Sequence, residues 1–503
     1  MGVENSDLQK IGENANNQSP NSYINTSIIK LTNNVIIGDC KTDAEKDYKK
    51  LEIIGEGAFS IVYEAQNRIT DIVRAMKVIK KDQSDLNLNE EEIINEINVL
   101  KTIDHPNIVK IFEFYSNKET YKIIMEYCKC GKLSSEIKYF GPFDENKAAY
   151  IMYQILSAIN YCQNLNIIHR DLKPDNILIV NRNKKYNYPN IKVADFGMSK
   201  IVEKNSIQNK LAGTIYYTAP EVFSQKYNEK CDIWSCGVIM YVLLSKRSPF
   251  TGEENDEIIK KIKKGEYDLK SPPFDKISEN ALDLIQKLLN KNMDERINAQ
   301  EALNHPWFKV HNSKELFNQI LDENITNKLL ENLKKYKRIS VIQETALAYL
   351  VHNFPQMKEV INACKLFNQI DINGDGKISE EELYQGLSSR IKSDTLKEDV
   401  KIIFKNLDMD GSGTIEYEEF VRAAISKEKF MGENVLKFAF RFFDKDNSGK
   451  IDVEELEKVF KGSITDKEHI EETLNRIIFE VDLNRDGKIS FDEFSIVMRK
   501  MLE

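Results

Sequence analysis

Four copies of one twelve-residue pattern close this chain and fix much of what its last third can fold into. The segments are Asp371–Glu382, Asp408–Glu419, Asp444–Glu455 and Asp482–Glu493. Each has Asp at position 1, Asp or Asn at 3, Asp or Ser at 5, Gly at 6 and Glu at 12. Ca²⁺ takes about six to eight hard oxygen ligands, and this spacing wraps carboxylates and carbonyls around one point. The candidate ligands of the first loop are Asp371, Asn373, Asp375, the Lys377 carbonyl and Glu382. Those of the second are Asp408, Asp410, Ser412, the Thr414 carbonyl and Glu419. The third offers Asp444, Asp446, Ser448, the Lys450 carbonyl and Glu455, and the fourth Asp482, Asn484, Asp486, the Lys488 carbonyl and Glu493. Gly376, Gly413, Gly449 and Gly487 allow the sharp turn at position 6. An isoleucine at every position 8 (Ile378, Ile415, Ile451, Ile489) lets paired loops add a short strand to each other. A repeat of about 37 residues marks repeated supersecondary units, here helix–loop–helix.

The charge agrees. Residues 356–503 hold about 32 acidic and about 23 basic side chains, which accounts for the whole net charge of −9. The remainder is near neutral, with no basic patch suited to nucleic acid. At 503 residues the chain has room for several domains, and no apolar run approaches the length of a spanning helix. Seven scattered cysteines, with Cys128 and Cys130 lacking a second pair for zinc, fit a reducing cytoplasm. The start, Met1-Gly2-Val3-Glu4-Asn5-Ser6, matches the N-myristoylation pattern with Gly2 as acceptor. One such chain without a neighbouring Cys or polybasic run predicts weak, reversible membrane association.

Residues 1–46 are rich in Asn, Ser and Thr with little periodicity and predict a variable, disordered tail. Strand-like patterns begin at Tyr48, and helical periodicity dominates from about Glu145 to Phe308. Residues 309–355 predict one amphipathic helical stretch with the basic run Lys334-Lys335-Tyr336-Lys337-Arg338, ending at Pro355.

An ordered set of motifs lies between. Gly55-Glu56-Gly57-Ala58-Phe59-Ser60-Ile61-Val62 sits between two strand patterns, and its backbone N–H groups can cradle phosphates. Lys77 follows on the next strand and Glu96 on the next helix; a Lys held by a Glu can grip the α- and β-phosphates of ATP. Then come His169-Arg170-Asp171-Leu172-Lys173-Pro174-Asp175-Asn176, Asp195-Phe196-Gly197 and Ala219-Pro220-Glu221. Phosphoryl transfer has a loose transition state, so catalysis is positioning plus charge stabilisation. In that chemistry Asp171 orients the substrate hydroxyl and accepts its proton. Asn176 and Asp195 hold Mg²⁺ against the triphosphate, and Lys173 neutralises the γ-phosphate. A non-catalytic calcium sensor with a dead kinase fold is the rival reading, and the intact Lys77, Glu96, Asp171, Asn176 and Asp195 argue against it.

On these motifs the chain resembles the calcium-dependent protein kinases of plants and alveolate protists over about 450 of its 503 residues. The resemblance implies an α+β bilobal protein kinase over 47–308, an autoinhibitory junction over 309–355, and an all-α calmodulin-like domain with two EF-hand pairs, 356–427 and 428–503. It implies ATP, Mg²⁺ and Ca²⁺ as cofactors, protein Ser/Thr substrates, and the junction helix as an intramolecular target of the EF-hands. Met125 falls at the gatekeeper position, with Glu126 and Cys128 offering hinge backbone groups to adenine, and Arg296 is the family's partner for Glu221. Lys173 and Thr214 fit serine/threonine specificity.

Three positions depart from the family pattern. Lys132 stands where a Glu contacts the ATP ribose and a substrate Arg at P−3, and Asp175 replaces a second Glu that shares the latter task. Lys210 occupies the place of the activation-loop residue that pairs with Arg170, so that loop must be ordered in another way; Ser206 is a weak alternative acceptor. If Lys132 points into solvent, a nearby acid such as Glu136 is the substitute receptor.

Overall fold

The computed structural model describes residues 37–40, 43–57, 60–81, 90–182, 187–201, 214–311, 321, 323–337, 339–388, 395–408, 411–460 and 470–502. The expectations for Gly2, Ala58, Phe59, Ser206, Lys210, Arg338 and Asp410 fall outside them.

The small lobe is a six-stranded sheet. Its strands are β1 (Gly38–Cys40), β2 (Tyr48–Glu56), β3 (Ser60–Asn67), β4 (Val73–Lys80), β5 (Ile111–Ser116) and β6 (Thr120–Met125), in the order β1-β5-β6-β4-β3-β2. Alternation divides β4 cleanly. Ile79 joins the main core, whereas Met76 packs with Tyr48, Phe112 and Ile124 on the opposite, outer face. A helix, α1 (Glu90–Thr102), precedes β5. The segment read as a tail through residue 46 contributes a strand: β1 runs parallel to β5, pairing Gly38 with Glu113, and the preceding Ile37 is buried in the main core. Composition concealed this, because edge pairing uses backbone groups that any side chain carries.

The large lobe is helical. Helix α2 (Leu133–Phe140) leads to α3 (Glu145–Asn164), whose N-cap Asp144 accepts the Lys147 N–H at 2.9 Å. A hairpin of β7 (Ile177–Arg182) and β8 (Pro189–Val193) lies beneath the cleft. Helix α4 (Lys230–Ser245) is buried on all sides, as an apolar helix without a polar face must be. A short α5 (Ala299–Leu303) packs on α3.

The junction is two helices rather than one. α6 (Glu323–Lys335) ends after its basic turn, and Ser340 starts α7 (Val341–Asn353) with a capping box: its hydroxyl accepts the Gln343 N–H while the Gln343 side chain accepts the Ser340 N–H. α7 is not amphipathic, since all thirteen of its residues are buried. It shares one apolar core with both EF-hand pairs, its Tyr349 stacked on Phe438 and Phe442 at 5.2 and 4.3 Å between centroids. Ile378 pairs with Ile415 and Ile451 with Ile489, joining the loops two by two.

Candidate active site and calcium-binding loops

β4 delivers Lys77 to the cleft and α1 delivers Glu96. Lys77 Nζ donates to Glu96 Oε1 at 2.9 Å and to Asp195 Oδ1 at 3.3 Å. Burial alone would lower the Lys77 ammonium, but the two carboxylates outweigh it and push it up to about 12. Burial raises the Asp195 carboxyl in turn, and Lys77, His169 and Lys173 more than reverse this, holding it below its usual range. Asp195 has φ 65°, a left-handed conformation uncommon for a non-glycine residue. The buried Phe196, edge-on to His169 at 4.7 Å, pins the turn that aims its carboxylate into the cleft.

Asp171 sits in a small network of donors. Its Oδ2 accepts from Lys173 Nζ at 2.7 Å and Asn176 Nδ2 at 3.0 Å, and its Oδ1 from the Thr214 hydroxyl at 2.9 Å. Lys173 also donates to Thr214 Oγ1 at 2.9 Å. The buried Asp232, at the start of α4, accepts the N–H groups of His169 and Arg170 at 2.8 and 2.9 Å and so fixes the loop from below. Arg170 donates to the carbonyls of Met198 and Ser199. Arg296 grips Glu221 through two bonds, 2.5 and 3.0 Å.

Over the cleft, Gly55 and Glu56 pair with Val62 and Ile61, and the Gly57 N–H closes the turn onto the Ser60 carbonyl at 2.8 Å. In the hinge, the Glu126 N–H donates to the Lys110 carbonyl at 2.9 Å. The Glu126 carboxylate pairs with Lys192 at 2.9 Å, and burial pushes the Cys128 thiol up. Lys132 is exposed at the start of α2, and Asp175 Oδ1 accepts from Ser134 Oγ at 2.8 Å. Asn176 and Asp195 lie on adjoining segments tied by the Ala194 N–H to the Asn176 carbonyl at 2.8 Å. Their oxygens are of the hard type that Mg²⁺ takes beside substrate phosphates.

The loops fold as their spacing dictates. Position-1 carboxylates accept the N–H of the position-6 glycine: Asp371 from Gly376 at 3.0 Å, Asp408 from Gly413 at 3.1 Å, Asp444 from Gly449 at 3.0 Å and Asp482 from Gly487 at 2.8 Å. Position-12 glutamates reach back across three of them, Glu382 to the Asn373 N–H at 3.1 Å, Glu455 to Lys445 at 2.8 Å and Glu493 to Leu483 at 3.0 Å. Glu419 accepts the Glu416 N–H at 3.0 Å. Asn373, Asp446 and Asn484 each turn an oxygen to the N–H at position 5. Ser412 and Ser448 hydroxyls donate to the carbonyls of Thr414 and Lys450, and Asp375 and Asp486 accept the N–H groups of Lys377 and Lys488. Carboxylate oxygens of Asp444, Asp446 and Glu455 converge within 4.8 Å of one another, a set a hard divalent cation satisfies. Burial and the neighbouring Asp375 push the Asp371 carboxyl up to about 7.

Residues 48–308 match the model of the protein kinase domain, and residues 362–425 and 433–499 each match that of the EF-hand domain pair. The chain is 35% identical over 450 residues to calcium-dependent protein kinase 5 of Plasmodium falciparum (isolate 3D7), covering 90% of this chain and 77% of that one. Calcium-dependent protein kinase 4 of the same organism is 35% identical over 503 residues, covering 98% and 92%. The chain belongs to the calcium-dependent protein kinases. Calcium-dependent protein kinase 3 of Plasmodium berghei (strain Anka) is likewise similar, 37% identical over 460 residues. This is a calcium-activated serine/threonine protein kinase; its kinase domain uses ATP with Mg²⁺, and its EF-hands bind Ca²⁺. Among the described residues no helix is long and apolar enough to cross a membrane.

Motif reading missed how the kinase domain meets the calcium module. His352 Nε2 donates to the Ile111 carbonyl at 2.7 Å, and the buried Arg74 guanidinium donates to the Asn353 carbonyl while stacking over Phe112. Lys110 bridges Asp104 at 2.7 Å and Glu418 at 3.5 Å. Burial opposes the Glu418 charge, but His352 and Lys110 outweigh it and hold its carboxyl down at about 2. Arg74 opens the run Arg74-Ala75-Met76-Lys77, which draws attention only to its lysine, His352 belongs to no motif, and Glu418, next to the ligand Glu419, reads as one more acid in an acidic helix.

Proposed function

We propose that Ca²⁺ on the four loops seats the junction helix α7 in the EF-hand module and docks both on the outer face of the small lobe, lifting a block that the junction imposes at resting calcium. The observation that carries this reading is the placement of α7. Its thirteen residues are buried, and its end meets Arg74 and Ile111 on the sheet face opposite the Lys77 cleft. Loaded EF-hands that open a groove for an amphipathic or apolar helix are a known switch type.

In the cleft so released, Asp171 orients the substrate hydroxyl and takes its proton, and Lys173 and Thr214 hold that carboxylate in place. Lys77, fixed by Glu96, meets the α- and β-phosphates. Asn176 and Asp195 would hold Mg²⁺, the glycine-rich segment Gly55–Val62 would offer backbone N–H groups to the triphosphate, and the Glu126 and Cys128 backbone groups would take adenine. The substrates are protein serines and threonines. A myristoyl group on Gly2 would add weak peripheral membrane contact to a cytoplasmic enzyme. The test is peptide phosphorylation by the full chain across free calcium. Activity should rise steeply with calcium, and equal turnover in chelator and in saturating calcium would sink the regulatory part.

A further inference from the structure

Of the four calcium loops, the first is walled by the kinase itself. Asn160, buried on α3, donates through Nδ2 to the Gly374 carbonyl at 2.9 Å and to Gln300 at 3.1 Å. The Tyr161 ring lies flush against Gly376: a Cβ there would stand 2.4 Å from the ring. A Cβ on Gly374 would stand 3.1 Å from Leu303 of α5 and 3.6 Å from the Ser157 hydroxyl. The corresponding glycines of the other loops, Gly411, Gly413, Gly449 and Gly487, face open space. Among the described loop glycines, those of the first loop alone have helices of the large lobe standing where water would otherwise be.

That wall changes what the loop's charges cost. Docking strips water from the middle of this loop, where Gly374 and Gly376 are buried and Asn373 and Asp375 half-buried, whereas residues 445–450 and 483–488 of the third and fourth loops are exposed. Clustered carboxylates are expensive to desolvate without a counter-charge, and a cation among them is held more strongly where water is excluded. Two equilibria that share this surface must be linked, each shifting the other by the same factor.

We infer that the large lobe is a structural part of the first calcium site. Asn160 and Tyr161 act as positioning residues that raise the Ca²⁺ affinity of Asp371–Glu382 in the docked chain, so occupancy of this loop is what docking reads most directly. This rests on the docked arrangement proposed above being the calcium-loaded one.

The loops themselves supply a clean variant. Position 4 is Gly374 here but Asn447 and Arg485 in the third and fourth loops, both at φ 59°. Gly374→Asn thus suits a calcium loop yet collides with Leu303. The four-step calcium isotherm of the full chain, read by chelator competition, should lose affinity at one step by about tenfold. That step should be the one removed by Glu382→Gln. Asn160→Ala, which keeps α3 helical, should shift the same step, and Gly411→Asn should shift none. Superimposable isotherms for Gly374→Asn, Asn160→Ala and wild type would overturn the inference, as would a loss at another step. Failure of the docking reading would show separately, as kinase activity that ignores calcium in the wild type.

Discussion

Arg182 holds Glu136 in a two-pronged grip, Nη1 to Oε1 at 2.9 Å and Nη2 to Oε2 at 2.5 Å, with Lys147 adding a third bond at 2.9 Å. Glu136 is thereby buried and fully committed, so it cannot replace the acid missing at Lys132 as a receptor for a basic substrate residue. Asp175, bonded to Ser134, is the acid left nearby. The preference for Arg at P−3 should be weakened, and Lys132→Glu should raise selectivity for P−3 Arg over P−3 Ala peptides about tenfold, equivalent to about 1.4 kcal/mol. Identical selectivity in the two proteins would show that this position does not read the substrate.

Asp171→Asn should lower kcat about 10²- to 10⁴-fold, because it removes the proton acceptor but keeps the bonding shape around Lys173 and Thr214. Lys77→Met should abolish transfer as well, with Glu96 left unpaired. Circular dichroism and the melting profile should stay near wild type for Asp171→Asn. Near-normal turnover of that variant would remove Asp171 from its role.

Changing Glu382, Glu419, Glu455 and Glu493 together to Gln should leave a kinase that no longer responds to calcium, since each supplies the closing ligand of its loop. The measurement is activity across free calcium. A retained calcium response would mean that the activating ion binds elsewhere.

Arg74→Ala should raise the calcium concentration needed for half-activation while leaving saturated turnover close to wild type. It strands the buried Asn353 carbonyl, an omission worth about 1–3 kcal/mol. His352→Ala should act in the same direction by releasing the Ile111 carbonyl. Unchanged midpoints for both would separate this contact from activation.

Co-expression with an N-myristoyltransferase should add one myristoyl mass to Gly2 and produce only partial, salt-insensitive association with vesicles. An unmodified intact mass under those conditions settles the matter against acylation.

Chemistry was more legible in the sequence than assembly. Ligand spacing in the loops and the order of Lys77, Asp171 and Asp195 are dictated by ions and phosphates of fixed geometry, so local patterns expose them. The break between α6 and α7 turns on one Ser340–Gln343 capping box inside a continuous apolar rhythm, and that rhythm predicts a single helix. β1 was hidden for a different reason: it follows the short apolar run Val35-Ile36-Ile37 within a segment that is Asn-, Ser- and Thr-rich as a whole, and its pairing with β5 is made by backbone. The seat of Arg74 on Asn353 joins residues 279 positions apart, a distance over which periodicity carries no information.

Arg74 and Lys77 sit three residues apart on β4, and a strand's side chains alternate, so they emerge from opposite faces of one ribbon. One face feels the nucleotide and the other feels the calcium module. On the docking proposed above, a compound that competes with ATP would meet a target stiffened from behind only when calcium is bound. Its potency measured in chelator and in calcium should then differ, and a screen run at only one calcium level would rank inhibitors for that condition alone.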